Sequence, residues 1–392
     1  MKESIFAKRI NSLRQRLVHF PFQNGTKIFP DAFWIIQPEN RRYLSGFKAC
    51  DSSLTESSGS LFISKSRRLL VTDSRYTLEA EKEVIDFEVQ TLKKDLIEEF
   101  PEIIRQIGTN NLGFEEHYLT CGLYRKISER IESLSSPVGL VPVNMLVEKM
   151  REIKDETEVK ALSASAEMIS EILSDVIEWL QPGLTEKQVA WRIESLAKKR
   201  GAEGLAFPSI VASGPNGALP HAIPTDRELQ MNEPVILDVG VMLDGYCSDM
   251  TRTVFLGEPE AEFKEIYSTV HKAQLTSLKE VRSGVMSDYP DSIARQIIKN
   301  AGFGQYFGHS LGHGVGLATH EGPRLGPRKP VKLKKGMVVT VEPGIYIPGK
   351  GGVRLEEMVV IEDEGSRILT TDRHFYDFGI TYSPRQEQHE VI

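Results

Sequence analysis

Cysteine is scarce in this chain. Cys50, Cys121 and Cys247 are far apart and form no Cys-x-x-Cys pair. An odd, scattered set excludes a disulfide scaffold and a cysteine-rich structural zinc site. It fits reduced thiols in a cytosol, each serving as a small buried residue. Long apolar runs are missing too, and none reaches the length of a membrane span. There is no basic excess: the net charge of -7 argues against a general nucleic-acid binder. Short internal repeats and low-complexity tracts are also lacking. The stretch Met1 to Phe20 carries Lys8, Arg9, Arg14 and Arg16 but not the apolar core of a targeting peptide. Ile5, Ile10, Leu13 and Leu17 recur there at helical spacing, which predicts a first amphipathic helix.

What is present reads as an ordinary globular protein, 40% hydrophobic and 26% charged. Its 392 residues suggest two or three domains. Strand patterns at Phe33–Gln37, Ser60–Ser64, Arg68–Thr72 and Phe87–Thr91 alternate with helical periodicity at Leu96–Ile107 and His117–Leu134. Such interleaving predicts a mixed α/β domain. Ser135–Asn144, with Pro137 and Pro142, reads as the linker, which sets the domains at 1–140 and 141–392. A long helix over Thr157–Trp179 follows. Thr185-Glu-Lys-Gln188 has the form of a capping box opening another helix to about Lys199. Beyond residue 205, Val235–Val239, Thr251–Phe255, Met337–Val341 and Met358–Ile361 are apolar enough for central strands. Helices are expected at Glu262–Ser283 and Tyr289–Ala301. Helices lying on an antiparallel sheet, an α+β arrangement, fit this order.

The informative acids and histidines lie after residue 220. Asp238 ends an apolar strand. Asp249 sits across an apparent hairpin through Asp244-Gly245. His313 lies in Gly312-His-Gly-Val-Gly316, Glu342 in Thr340-Val-Glu-Pro-Gly344, and Glu356 in Gly352-Val-Arg-Leu-Glu-Glu357. Taken singly, each reads as a turn, edge or loop residue. Together they place carboxylates beside apolar strands, where burial costs several kcal/mol each unless they are paired or bound to metal. Arg252 and Arg354 are the main nearby cations and do not match them in number. Two divalent ions would balance four carboxylates. One imidazole among oxygen donors suits Mn²⁺, Co²⁺ or Fe²⁺, with Mn²⁺ favoured, and tolerates Zn²⁺. The glycines around His313 lack the following Lys-Ser/Thr of a phosphate loop. His309 and His313 have the spacing of a zinc-protease helix, but Ser310 stands where the glutamate belongs.

With these residues in place, the chain resembles the pita-bread metallopeptidases, the family of methionine aminopeptidase, aminopeptidase P and prolidase. The family's ligands fall on Asp238, Asp249, His313, Glu342 and Glu356. The resemblance implies that Asp238 chelates one metal, Asp249 and Glu356 bridge both, and His313 and Glu342 hold the second. Ser213-Gly-Pro-Asn-Gly-Ala-Leu-Pro-His221 looks like a loop of the proline-specific branch. By that likeness His221 and His320 face the substrate, His309 lines its pocket, and Arg354 orients a ligand carboxylate. Glu342 is expected to shuttle the proton, and His221 or His320 to hydrogen-bond the developing oxyanion. Asn40-Arg-Arg-Tyr-Leu-Ser-Gly-Phe47 and Leu70-Val-Thr-Asp-Ser-Arg-Tyr76 resemble the creatinase-type N-terminal domain. The expected architecture is therefore a C-terminal pita-bread catalytic domain preceded by a smaller α/β creatinase-type domain.

Methionine aminopeptidases lack that first domain, and creatinases lack the ligands. The leading expectation is a cytoplasmic, homodimeric aminopeptidase that removes the residue before proline from short peptides. A prolidase restricted to Xaa-Pro dipeptides is the alternative, and a non-catalytic binding protein retaining the fold is a third reading. Neither nucleic acid nor membrane is expected as a partner.

Overall fold

The structure is a computed structural model describing residues 3–18, 29–51, 53, 56–132, 134, 136 and 138–378. The chain divides into two compact units, Met1–Arg151 and Glu152–Ile392.

In the first unit the strands are β1 (Ala32–Ile35), β2 (Ser60–Ser64), β3 (Arg68–Thr72), β4 (Glu88–Thr91), β5 (Asn111–Glu115) and β6 (Gly139–Val143). They form one mixed sheet in the order β4-β3-β2-β1-β5-β6. Its helices are α1 (Ile5–Val18), α2 (Pro38–Ser45), α3 (Thr77–Glu83), α4 (Leu96–Ile107), α5 (Cys121–Glu132) and α6 (Leu146–Arg151). Phe100, Ile103, Ile104 and Ile107 of α4 recur at helical spacing and meet Trp34, Phe62, Leu69 and Val71 of the sheet. Two expectations change here. Residues 139–143 are not linker, because β6 pairs in parallel with β5. Pro142 is tolerated because β6 is an edge strand and its missing N–H breaks no inner ladder. The helix expected from His117 begins only at Cys121. Ser135 and Pro137 of the expected linker, and residues 1–2 and 19–20 around α1, lie outside the described residues.

The second unit opens with α7 (Glu156–Trp179) and α8 (Glu186–Lys199), each begun by a capping box. Short strands β7 (Gly204–Leu205) and β8 (Ile210–Ser213) follow. Next come β9 (Pro234–Val239), β10 (Val241–Leu243), β11 (Tyr246–Cys247) and β12 (Met250–Phe255). Asp244 and Gly245, both at positive φ, turn β10 into β11 as a two-residue hairpin loop should. Helices α9 (Ala261–Leu278) and α10 (Asp288–Asn300) precede the last strands. These are β13 (Gly312–Gly314), β14 (Glu321–Leu325), β15 (Val338–Val341), β16 (Gly344–Ile347), β17 (Gly351–Arg354), β18 (Glu357–Ile361) and β19 (Ser366–Ile368). All their pairings are antiparallel, in the orders β12-β9-β8, β11-β10-β7, β14-β13-β15-β18-β19 and β16-β17.

Strand alternation decides what faces the site. Along β9, Val235, Leu237 and Val239 pack against Ile169, Leu173 and Val176 of α7 and Val189 and Ile193 of α8. Ile236 lies on the other face with Ala212, Ala222 and Tyr346, and Asp238 shares that face. Along β15, Val339 and Val341 join α9 and α10 in a second core, which leaves Thr340 and then Glu342 on the opposite face. Of the cysteines, Cys247 is buried as expected, whereas Cys50 and Cys121 are exposed. No helix among the described residues is long and apolar enough to cross a membrane.

Candidate metal centre

Asp249, His313 and Glu356 converge, each offering a donor atom within 4.8 Å of the others. They come from three places in the sheets: the entry to β12, the middle of β13 and the junction of β17 with β18. His313 owes its position to glycine. A Cβ at Gly312 would lie 2.0 Å from the Thr340 carbonyl oxygen, and one at Gly314 2.1 Å from that of Gly322. The glycine cluster therefore lets β13 approach its neighbours closely. His313 Nδ1 donates to the Gly314 carbonyl at 3.0 Å, which fixes the tautomer and leaves the Nε2 lone pair free for a ligand. Nε2 lies 3.3 Å from Glu342 Oε1 and 3.7 Å from Asp249 Oδ2. Burial also lowers the affinity of His313 for a second proton.

Glu342 accepts from Thr340 Oγ1 at 3.0 Å, and its backbone N–H is tied to the Leu311 carbonyl at 2.8 Å. Glu356 Oε2 accepts from Thr251 Oγ1 at 2.7 Å. Asp238 Oδ2 accepts from Arg354 Nη2 at 2.5 Å. Asp238 and Glu342 thus stand outside the tight trio, but both act on it electrically. Burial first, and then the charges of Glu356, Asp238 and Glu342, push the Asp249 carboxyl well above its ordinary range. The same two effects raise Glu356, and burial raises Glu342. Asp238 Oδ1 and Glu356 Oε1 are buried with no hydrogen-bond partner among the described residues. Unpaired anionic oxygens beside an unprotonated imidazole nitrogen are what a divalent cation would satisfy, so the donor set fits a metal.

Of the two expected cations, only Arg354 serves this cluster. Arg252 is committed elsewhere, with Nη2 on Glu357 Oε1 at 2.9 Å and Nε on Asp372 Oδ2 at 2.7 Å. Arg354 Nη1 also donates to Tyr346 Oη at 2.8 Å. The Tyr346 hydroxyl in turn donates to His309 Nε2 at 3.0 Å, because His309 Nδ1 donates to the Ser310 carbonyl at 2.8 Å. With both ring nitrogens engaged, His309 presents a wall, standing edge-on to Phe307. The His320 ring lies tilted against His313, with 4.2 Å between ring centroids. Its pKa is lowered to about 4 by burial and by its neighbours His313 and His221, so it is neutral at pH 7. His221 is exposed. Sequence reasoning missed Tyr346, Thr251 and Thr340. Thr340, two residues before Glu342, and Thr251, two after Asp249, left the trace of sharing a strand face with a ligand; Tyr346 left none.

Antiparallel sheets flanked by helices and carrying hard, uncompensated donors define a metal-dependent hydrolase. The chain belongs to metallopeptidase family M24, whose description matches residues 160–363. The creatinase/prolidase N-terminal domain matches residues 29–153. It is 35% identical over 361 residues to the Xaa-Pro dipeptidase of Pyrococcus horikoshii, covering 92% of this chain and 97% of that one. Among solved structures it is similar to an Xaa-Pro dipeptidase from Bacillus anthracis. That match has a TM-score of 0.86 at 35% identity and covers 94% of this chain and 98% of that one. An X-Pro aminopeptidase from Thermotoga maritima matches with a TM-score of 0.79 at 38% identity, covering 87% and 96%. A creatinase-type N-terminal domain followed by a pita-bread catalytic domain, as the sequence implied, is thereby established.

Proposed function

We propose that this metallopeptidase hydrolyses the bond preceding proline in Xaa-Pro dipeptides. The observation that carries the metal chemistry is the trio Asp249, His313 and Glu356 with the unpartnered oxygens of Asp238 and Glu356 beside it. The dipeptide reading, second in the sequence analysis, now stands ahead of the aminopeptidase. Relatives similar over nearly the whole chain bear the dipeptidase name, among them that of Pyrococcus horikoshii.

Asp238, Asp249, His313, Glu342 and Glu356 would hold two divalent ions, which balance four carboxylates in charge; Mn²⁺ suits the oxygen-rich set. When bound, such ions supply a nucleophilic water at neutral pH and polarise the scissile carbonyl. Glu342 takes the proton from water and passes it to the leaving nitrogen. Neutral His320, with His221 near it, donates to the substrate oxygen that gains charge. The proline nitrogen carries no N–H, so a site demanding a donor there fails. The ring of half-buried His309, backed by Phe307, instead offers a wall for the proline ring.

The test is hydrolysis of Ala-Pro and Ala-Pro-Ala by enzyme stripped with chelator, before and after Mn²⁺ is restored. Cleavage of Ala-Pro alone, and only with metal, is expected. Preference for the tripeptide moves the reading to an aminopeptidase, and cleavage of neither substrate overturns it. Glu342→Gln should lower kcat on the order of 10²–10⁴-fold, the range of general acid–base catalysis. A kcat near the parent value removes the proton role from Glu342.

A further inference from the structure

The loop that carries His221 leaves β8 at Ser213 and returns to regular hydrogen bonding at Thr225. Its two ends meet on one side chain, that of Glu186, the first residue of α8. Glu186 is completely buried. Its Oε1 accepts from the Ser213 backbone N–H at 2.7 Å and from Ser213 Oγ at 2.8 Å. Its Oε2 accepts from Asn216 Nδ2 at 2.8 Å, from the Thr225 N–H at 2.9 Å and from Thr225 Oγ1 at 2.7 Å. Every one of these donors belongs to the loop or its ends. A single carboxylate therefore closes the neck of the loop.

The other buried carboxylates that hold histidine loops are arranged differently. Asp291 accepts from the Leu311 N–H at 3.0 Å and is paired with Arg295, whose guanidinium donates to the carbonyls of Phe307 and His309. Glu321, next to His320, accepts from the Ala318 N–H at 2.9 Å and is paired with buried Lys154 at 3.3 Å. The loop's donors to Glu186 are neutral amides and hydroxyls, and Arg227 joins the neck through Ser213 Oγ, to which its Nη1 donates at 2.7 Å. Beyond the neck, the loop touches the site at two points. The Pro220 carbonyl accepts from Arg354 Nη1 at 3.3 Å. Ala222, which follows His221, is buried and packs with Ile236 and Tyr346. Leu219 and Ile223, at 57% and 80% exposure, give the tip little packing of its own. The placement of His221 thus depends on the neck, on the Arg354 contact and on the buried Ala222 beside it.

We infer that Glu186 is a positioning residue for catalysis: by gathering Ser213, Asn216 and Thr225 on one carboxylate, it sets the loop that aims His221 at the substrate. This rests on the role given to His221 above. An amide at this position has nearly the same shape, but it would point an NH₂ at donors on one side, which cannot pair with it. A misplacement of about 1 Å in a positioning element can cost on the order of 10²-fold in rate.

The experiment is a double-mutant cycle on the Mn²⁺-loaded full chain with Ala-Pro, using Glu186→Gln, His221→Ala and the pair, with Asn216→Ala as a milder cut at the same neck. Glu186→Gln should lower kcat/KM on the order of 10–100-fold, and Asn216→Ala less. In the His221→Ala background, Glu186→Gln should cost no more than about twofold, because contacting residues that act as one unit are not additive. An equal loss in both backgrounds makes Glu186 a general structural residue and overturns the inference, as does an unchanged rate. Amide hydrogen exchange is the second readout. In Glu186→Gln, exchange should quicken at Ser213 and Thr225 and not in β13 or β15; quickening throughout the unit, or nowhere, also overturns the inference. If His221→Ala by itself leaves turnover intact, the role of His221 fails. Exchange at the neck then decides alone whether Glu186 positions the loop.

Discussion

Both units bury charge, but they do so in opposite ways. In the first, Arg41 is fully buried and its two terminal nitrogens are surrounded. Asp51 lies 2.9 Å from Nη2, Ser57 and Ser58 are hydrogen-bonded, and the carbonyls of Ile36, Ala49 and Gly59 accept. Glu115 is likewise matched, accepting from the N–H groups of Ile36 and Gln37 and from Asn40 Nδ2, each at 2.7 Å. In the second unit, Arg252 repeats the balanced pattern with Glu357 and Asp372. The cluster around His313 does not. Four carboxylates meet one arginine, and two oxygens have no partner among the described residues. Burial of charge alone therefore says little about function. The discriminating sign is a carboxyl oxygen left unanswered among other carboxyls; a lone buried N–H without a partner among the described residues, such as Arg41 Nε or Trp34 Nε1, occurs in the first unit too.

Removing one partner of the balanced set should give the largest change in stability. Arg41→Met strands Asp51 in the first unit and is expected to cost about 3–5 kcal/mol, the penalty for an uncompensated buried charge. Urea unfolding read through Trp34, in a Trp179→Phe/Trp191→Phe background, measures it. The loss should be the same with and without Mn²⁺. A loss that depends on metal would erase the distinction between the two units.

The acidic cluster should respond with a sign that depends on metal. Without metal, burial and neighbouring charges already hold Glu356 toward its neutral form; Glu356→Gln makes that neutrality permanent, can keep the Thr251 bond, and places an NH₂ among carboxyl oxygens. A gain of about 1.5–3 kcal/mol is expected, the worth of a hydrogen bond to a charged group. With metal the variant loses a ligand. It then forfeits part of a stabilisation that reaches about 4 kcal/mol at a metal concentration a thousandfold above Kd. Thermal unfolding in chelator and in excess Mn²⁺ checks both signs. Destabilisation in chelator as well would mean that the cluster is a balanced structural network.

Much of this was legible in the sequence, and the exceptions have physical causes. β2, β3 and α4 run to the residues expected, because a short continuous apolar run and a helical stripe are local patterns. β6 was misread because proline signals a turn, and nothing local reveals that a strand will lie at a sheet edge. The five acidic and histidine positions stood out because charge beside an apolar strand is costly. Tyr346, Thr251 and Glu186 did not stand out. Their partners, at Arg354 and His309, at Glu356, and at Ser213 through Thr225, are joined only by the fold. Arg252 looked like a counter-ion for the ligands because it lies three residues after Asp249. Strand alternation turns it to the opposite face, toward Glu357 and Asp372.

The most gradual effect, spread over a pH window, tests the balanced side of the comparison. Burial raises the pKa of Glu115 from 4.5 to about 7; the Gln37 and Asn40 donors oppose the rise, and the charge of Glu148 adds to it. Between those two values the folded unit holds a proton that the unfolded chain has released. Stability therefore falls as pH rises through this window, by at most about 1.4 kcal/mol per pH unit, and is flat outside it. Glu357, also raised to about 7, contributes the same sign in the second unit, so the readout must again be Trp34. Glu115→Gln should flatten the slope while lowering stability at every pH, since its NH₂ would face the Asn40 amide. If the slope survives in the variant, Glu115 is ionised in the folded unit throughout the window. Its three donors would then outweigh burial, making it a more completely answered charge than any carboxylate around His313.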